Sequence, residues 1–317
     1  MNENEMSPSF YETLGAPLAP NDARDYRAKV ATAALYDYPE HFDLFENMGI
    51  GIKNQMKTGS CVAHALSTAI EFFHRKQEET NVEMSTGYIY GNRQYTVWQG
   101  TGLYLRDALK TISKCGDAFW GDMPNNLEMP HALQVFNARD AAIDQSAYHN
   151  RISSYYRLND TNSMKEQLMH VGPIIIAVNW HPYKVDKNGI LTWTNEKEKR
   201  GGHCMVIRGW TKDGWLVQNS WGRLWGTGGL CIIPYDMKLR EVWGVCDTIV
   251  GETVNLVVKP ANWFKRTFYK VINLFWQIVY CFKKKKLSQV QNTLFTATAK
   301  SMSSFSMTTT TGAVESA

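Results

Sequence analysis

The sequence predicts an α+β chain, with helices in its first half and strands in its second. Three observations carry this. Residues 60–79 place Val62, Ala63, Ala65, Leu66, Ala69, Ile70, Phe72 and Phe73 at helical spacing, directly after the turn-permissive Thr58-Gly59-Ser60. Ile174-Ile175-Ile176-Ala177-Val178, bounded by Gly172-Pro173, has the length and β-branching of a buried strand. From there to about Val258, short apolar runs alternate with glycine-bearing turns. At 317 residues and 44% hydrophobic composition, the chain can bury one large core or the cores of two small lobes.

Taken in order, residues 1–38 form an N-terminal extension, polar at first, with a candidate helix from Asp22 to Tyr36. Its simplest reading is a strap packed on the surface; the competing reading is an arm near the functional cleft that restrains activity. Residues 84–116 read as largely helical with a stop at Gly116, and 117–150 as mixed, broken by Pro124 and Pro130. Arg151 to Leu158 is a candidate strand, and Met164 to His170 a helix. Strands are expected at Gly189-Ile190-Leu191, Leu230 to Ile233 and Thr253 to Val258. Between them, Met205-Val206-Ile207 and Trp215-Leu216-Val217 flank the turn Lys212-Asp213-Gly214 and form a hairpin. That hairpin returns Asn219 to the side of His203.

Two stretches carry chemistry. Cys61 falls in the first turn of its helix, where unpaired N–H groups and the helix dipole favour a thiolate. A cysteine there is more often a small core residue, so the reactive reading needs support from elsewhere in the chain. His203 and Asn219 supply it: a thiol nucleophile needs a base within hydrogen-bond reach and a third group that orients the base. The plain alternatives are a strand-end histidine and a turn asparagine.

With these residues in place, the sequence resembles the papain-like cysteine peptidases over roughly residues 39–258. Gln55 stands six residues before Cys61, Gly59-Ser60 immediately precede it, and His203 follows 142 residues later. Asn219-Ser220-Trp221-Gly222, Trp225-Gly226 and Gly229 complete the pattern. Weaker echoes lie at Pro39 to Leu44, Val171-Gly172-Pro173 and Trp243-Gly244-Val245-Cys246. The resemblance implies a two-lobe fold: a helical lobe at about 50–165, a β-barrel-like lobe at about 166–258, and an active-site cleft between them. It implies peptide-bond hydrolysis, with Cys61 as thiolate nucleophile, His203 as acid/base, Asn219 orienting His203, and Gln55 with the Cys61 N–H in the oxyanion hole. Trp221 would shield the His–Asn pair from water, and neither metal nor organic cofactor is needed. Val62 and Met56 depart from the family's tryptophan and glycine, which alters the cleft wall and the Gln55 loop. His64 stands where the family has an aromatic; a packed helix residue is favoured over a metal ligand. Cys204 should face away from His203 and sit in the core. Two other function classes remain: a catalytically silent scaffold of this fold, and a metal protein using Cys61, His64 and His203. Ligation is a variant of the same acyl-enzyme chemistry.

The formal charge of +4 is mild and suggests no nucleic-acid surface; a polypeptide substrate is the expected partner. Six scattered cysteines imply no disulfide framework, and Thr58 stands where secreted relatives carry a paired cysteine. With no secretory signal at the start, an intracellular, reducing setting is expected. Past Pro260, residues 262–282 repeat aromatic and apolar residues at helical steps, followed by Lys283 to Lys286. This basic aromatic stretch, within 259–287, suits a helix at an anionic membrane surface or one docked on protein. The Ser/Thr-rich residues 288–317 read as a disordered tail.

Overall fold

The computed structural model describes residues 14–20, 22–23, 25–27, 38–78, 82–95, 100–124 and 129–247. The expected strand at 253–258, the basic aromatic stretch, the C-terminal tail and residues 28–36 of the first candidate helix lie outside these. Among the described residues, no helix is long and apolar enough to cross a membrane.

Helix α1 (Cys61–Glu78) is the central element, and every residue from Cys61 to Phe73 is buried. Such a helix must be walled on all sides. Around it stand α2 (Thr86–Gly91), a 3-10 turn (Asn92–Tyr95), α3 (Leu105–Cys115), α4 (Met129–Asn137) and α5 (Ala141–His149). Their ends follow local chemistry. The Ser85 hydroxyl accepts from the Tyr88 N–H at 3.1 Å, and Asp140 Oδ1 accepts from the Ile143 N–H at 2.9 Å. Helix α3 stops at Gly116, whose φ of 76° suits a residue without a Cβ.

The second half is a sheet. Strands β2 (Ser154–Arg157), β3 (Ile174–Trp180), β6 (Gly201–Thr211), β7 (Gly214–Gln218), β8 (Leu230–Pro234) and β9 (Glu241–Cys246) pair antiparallel in the order β2-β9-β3-β6-β7-β8. The short β1 (Phe42–Asp43) adds to β6, while β4 (Tyr183–Val185) and β5 (Leu191–Trp193) form a separate ribbon. Helix α6 (Thr161–Glu166) runs into a π-turn (Gln167–Val171) before β3. The mixed α+β class holds. The barrel-like expectation is corrected to an open sheet, because its end strands β2 and β8 do not pair with each other.

Alternation along the strands divides the core in two. Ile175, Ala177, Cys204, Val206, Trp243 and Val245 face α1 and share one apolar cluster with Cys61 and Leu66. Ile174, Ile176, Val178, Trp180, Met205 and Ile207 face the other way, packing with Leu168, Trp210, Trp221 and Trp225. A one-residue slip of β6 would exchange these faces, so burial on both sides fixes the register. Cys204 thus lies on the α1 face, as alternation requires.

Candidate active site

The hairpin of β6 and β7 brings Asn219 to His203, and Asn219 Oδ1 lies 2.8 Å from His203 Nε2. The Ser220 N–H donates to the same oxygen at 2.8 Å, which sets the amide orientation. Oδ1 being an acceptor, Nε2 carries the ring proton and Nδ1 holds the lone pair. Nδ1 is buried without a hydrogen-bond partner among the described residues. The indole of Trp221 stacks on the imidazole at 4.4 Å and 24°, and Trp180 closes its edge at 5.0 Å and 72°. Trp180 had no signal in the sequence: it ends β3 and reaches His203 only because Trp180 pairs with Gly201 and Val178 with His203.

Cys61 begins α1, which packs against β6. Its sulfur is approached by the backbone N–H groups of Cys204, next to His203, and of Gly15. The loop before it is knitted from both sides. The Gln55 N–H donates to Ser220 O at 2.8 Å, the Gly222 N–H donates to Lys53 O at 2.9 Å, and Asn54 bridges Trp221. The Gln55 side chain donates from Nε2 to Thr58 O at 2.7 Å and accepts at Oε1 from Ser220 Oγ at 2.6 Å. Ser220 is therefore a positioning residue that motif spacing alone did not single out. Met56, expected to alter this loop, takes φ of 52°, a region glycine occupies without strain, and its N–H is held by Asn54 Oδ1 at 2.9 Å. His64 is a buried helix residue whose Nδ1 lies 3.0 Å from Ser60 O, so it braces the residue before Cys61. Among the described residues, no group of three or more His, Cys, Asp or Glu is placed to hold a metal ion.

Burial opposes the thiolate that the helix start favours. Burial pushes the Cys61 thiol up to about 11, outweighing the N–H groups of Cys204, Gly15, Val62 and Cys61 itself that favour the anion. Burial likewise lowers His203 to about 4 against the Asn219 hydrogen bond. Burial thus disfavours the charged form of both groups, each 0% exposed.

The cover is the N-terminal segment, which lies in the cleft instead of on the outer surface. The Ala16 N–H donates to Gly202 O at 3.0 Å, and the Leu103 N–H donates to Gly15 O at 2.8 Å. The approach is close enough that a Cβ on Gly15 would stand 1.8 Å from Gly59 O, and one on Gly202 would stand 1.7 Å from Ala16 O. Glycine at both positions lets the two backbones meet.

Burial of His203 and of His64, also lowered to about 4 by desolvation, has a measurable consequence. Both sit below the unfolded value of 6.5, so between pH 6.5 and 4 the unfolded chain binds more protons than the folded one. Stability should fall as pH falls through that window, by on the order of 3 kcal/mol per histidine at most. Urea midpoints at pH 7 and pH 5 check this; equal midpoints would mean the histidines are hydrated.

An open sheet carrying an oriented histidine, packed on a helix that begins with a cysteine, defines a thiol hydrolase. The profile of the papain family of cysteine proteases matches residues 38–248, and the chain belongs to that family. It is a cysteine peptidase, a hydrolase acting on peptide bonds in polypeptides. An uncharacterized peptidase C1-like protein of Acanthamoeba polyphaga mimivirus is 27% identical over 64% of this chain and 71% of its own length. Cathepsin O of Homo sapiens is 23% identical over 62% of this chain and 60% of its own. Among solved structures, xylellain, a cysteine protease from Xylella fastidiosa, superposes with a TM-score of 0.65 at 22% identity, covering 77% of this chain and 99% of that one.

Proposed function

We propose that Cys61 is the nucleophile of this peptidase, His203 its acid/base partner and Asn219 the group that orients the imidazole. The observation that carries this is the His203–Asn219 hydrogen bond beneath Trp221, with the Cys61 sulfur beside the N–H of the next residue, Cys204. In the uncovered site, His203 Nδ1 takes the thiol proton, the sulfur attacks the peptide carbonyl, and the imidazolium returns the proton to the leaving amine. Water then hydrolyses the thioester. The Gln55 amide and the Cys61 N–H serve as the donors to the oxyanion in this reading, and one such donor contributes about 3 kcal/mol in comparable enzymes. Trp221 and Trp180 keep water from the His–Asn bond. Five free cysteines among the described residues support a reducing setting. Nothing in the comparisons favours a silent scaffold.

The test is labelling with a cysteine-directed epoxide, read by intact mass and peptide mapping. A single modification at Cys61 that disappears in His203→Ala is the expected result. Modification spread over the exposed Cys115 and others, indifferent to His203, would remove the assignment.

A further inference from the structure

Behind the His203–Asn219 pair, between α1 and the hairpin of β6 and β7, lies a small cavity. Its polar lining is Lys53, His64, Thr68, Gln218, Asn219 and Ser220. It offers about 10 Å³ to a water-sized sphere, the space of one water molecule. Most of these side chains are already engaged elsewhere. Lys53 Nζ donates to Glu71 Oε1 at 2.6 Å, and Ser220 Oγ donates to Gln55 Oε1. Gln218 donates from Nε2 to Gly51 O at 2.9 Å and accepts at Oε1 from Arg208 Nη1 at 3.0 Å. Asn219 is different. It is 2% exposed, its Oδ1 is taken up by His203 and the Ser220 N–H, and its Nδ2 is buried without a hydrogen-bond partner among the described residues. A buried amide N–H left unpaired is costly, so the cavity has a use for an acceptor.

His64 supplies the other half. Its ring is 2% exposed, and burial disfavours the charged form, lowering it to about 4. Ser60 O can only accept, so the contact at 3.0 Å puts the proton of the uncharged ring on Nδ1. Nε2 then carries a lone pair. The Asn54 carbonyl also draws a proton to this ring, but an uncharged imidazole serves one carbonyl, and Ser60 O is the one in place. The cavity therefore has a donor, Asn219 Nδ2, and an acceptor, His64 Nε2, among its lining residues. One water joins such a pair, turning a lone pair to the amide and a proton to the ring. Thr68 Oγ1, whose own proton goes to His64 O at 2.9 Å, has a lone pair for the water's second proton. An aromatic hydrocarbon at position 64 would offer no acceptor.

We propose that one water bridges Asn219 Nδ2 to His64 Nε2, making His64 a positioning residue that keeps the Asn219 amide turned toward His203. The proposal rests on His203 being the base. A flipped amide would set Nδ2 against the Nε2 proton of His203, and the imidazole would lose its acceptor. The Ser220 N–H opposes that flip at Oδ1, and the bridge opposes it at Nδ2. The bonds run from His203 through Asn219, the water and His64 to Ser60 O, next to Cys61. Ser60 Oγ also lies 2.7 Å from Thr58 Oγ1, which donates to Gln55 O at 2.5 Å. The same ring thus ties the orienting asparagine to the loop that carries Gln55.

The experiment has a structural arm and a rate arm, both on the full chain. Nitrogen NMR of histidine-labelled protein should find His64 protonated at Nδ1. A crystal structure that shows ordered waters should place one within hydrogen-bond distance of Asn219 Nδ2 and His64 Nε2. His64 protonated at Nε2, or no density joining the two side chains, would overturn the bridge. So would an anomalous peak in the cavity after a bromide soak, which would mark an anion instead of water. The rate arm follows epoxide labelling at Cys61 in His64→Phe, His64→Gln and His203→Ala. His64→Phe should label roughly tenfold slower, because the orienting amide is freed, with a urea midpoint no lower than that of the natural sequence. His64→Gln keeps an acceptor and should recover most of the rate; a purely structural role would not distinguish the two. Should phenylalanine not fit, His64→Leu makes the same comparison. His64→Phe labelling at the natural rate, while His203→Ala loses labelling, would overturn the positioning role and leave His203 as the base. Natural protein that does not label, or labels regardless of His203, would overturn the base assignment and the proposal with it.

Discussion

Replacing His203 by alanine is expected to lower kcat/KM on a peptide substrate by roughly 10⁴–10⁶-fold, the scale seen when the base of a nucleophile–base pair is removed. Without Nδ1 nothing takes the proton from the thiol, and nothing returns it to the leaving amine. Because His203 is 0% exposed and packed between Trp221 and Trp180, alanine also leaves a cavity. His203→Gln, closer in volume, separates the two effects: it should restore stability but not rate. Recovery of more than a tenth of the rate in the glutamine variant would show that the imidazole is not the proton carrier.

Trp180→Ala should have the largest effect on stability, about 3–5 kcal/mol. The indole is 0% exposed and meets Tyr183, Trp193, His203 and Trp221 with centroids 4.9–5.1 Å apart, so no neighbour can collapse into the space without breaking its own packing. Trp180→Phe should lose much less. Trp180→Ala should also depress kcat more than KM, because it admits water beside the His203–Asn219 bond while leaving the face toward α1 intact. Denaturant midpoints within about 1 kcal/mol of the natural protein would show that the aromatic cluster is not a structural unit.

The legible parts of the site were those written in short stretches. Cys61 was placed at a helix start because eight apolar residues follow it at helical spacing, and the turn before it is marked by glycine. Asn219 was brought to His203 because a hairpin is a local structure, and its turn residues announce the register. Cys204 was assigned to the opposite face by alternation alone. Gln55 was marked by spacing, but the reason its amide is held, Ser220 Oγ at 2.6 Å, joins residues 165 positions apart. No local signal reports such a pair.

The electrostatic balance at Cys61 is likewise not a local property. A helix start favours a thiolate, and that term is present, yet burial outweighs it. Burial comes from residues 14–20, some forty positions upstream, whose few small apolar residues carry no periodicity to betray where they dock. The ion pairs of Asp25 with Arg106 and Arg157 are likewise invisible in sequence, since charged residues ordinarily face solvent.

The sequence by itself determined the family, the α+β class and the identities of the candidate catalytic side chains, because periodicity, turn chemistry and motif spacing are properties of neighbouring residues. Only the tertiary structure decided that the described strands form an open sheet, that Trp180 packs on His203 and Ser220 holds Gln55, and that Cys61 is buried. Those outcomes depend on which distant surfaces exclude water from one another, and desolvation is set by the assembled fold.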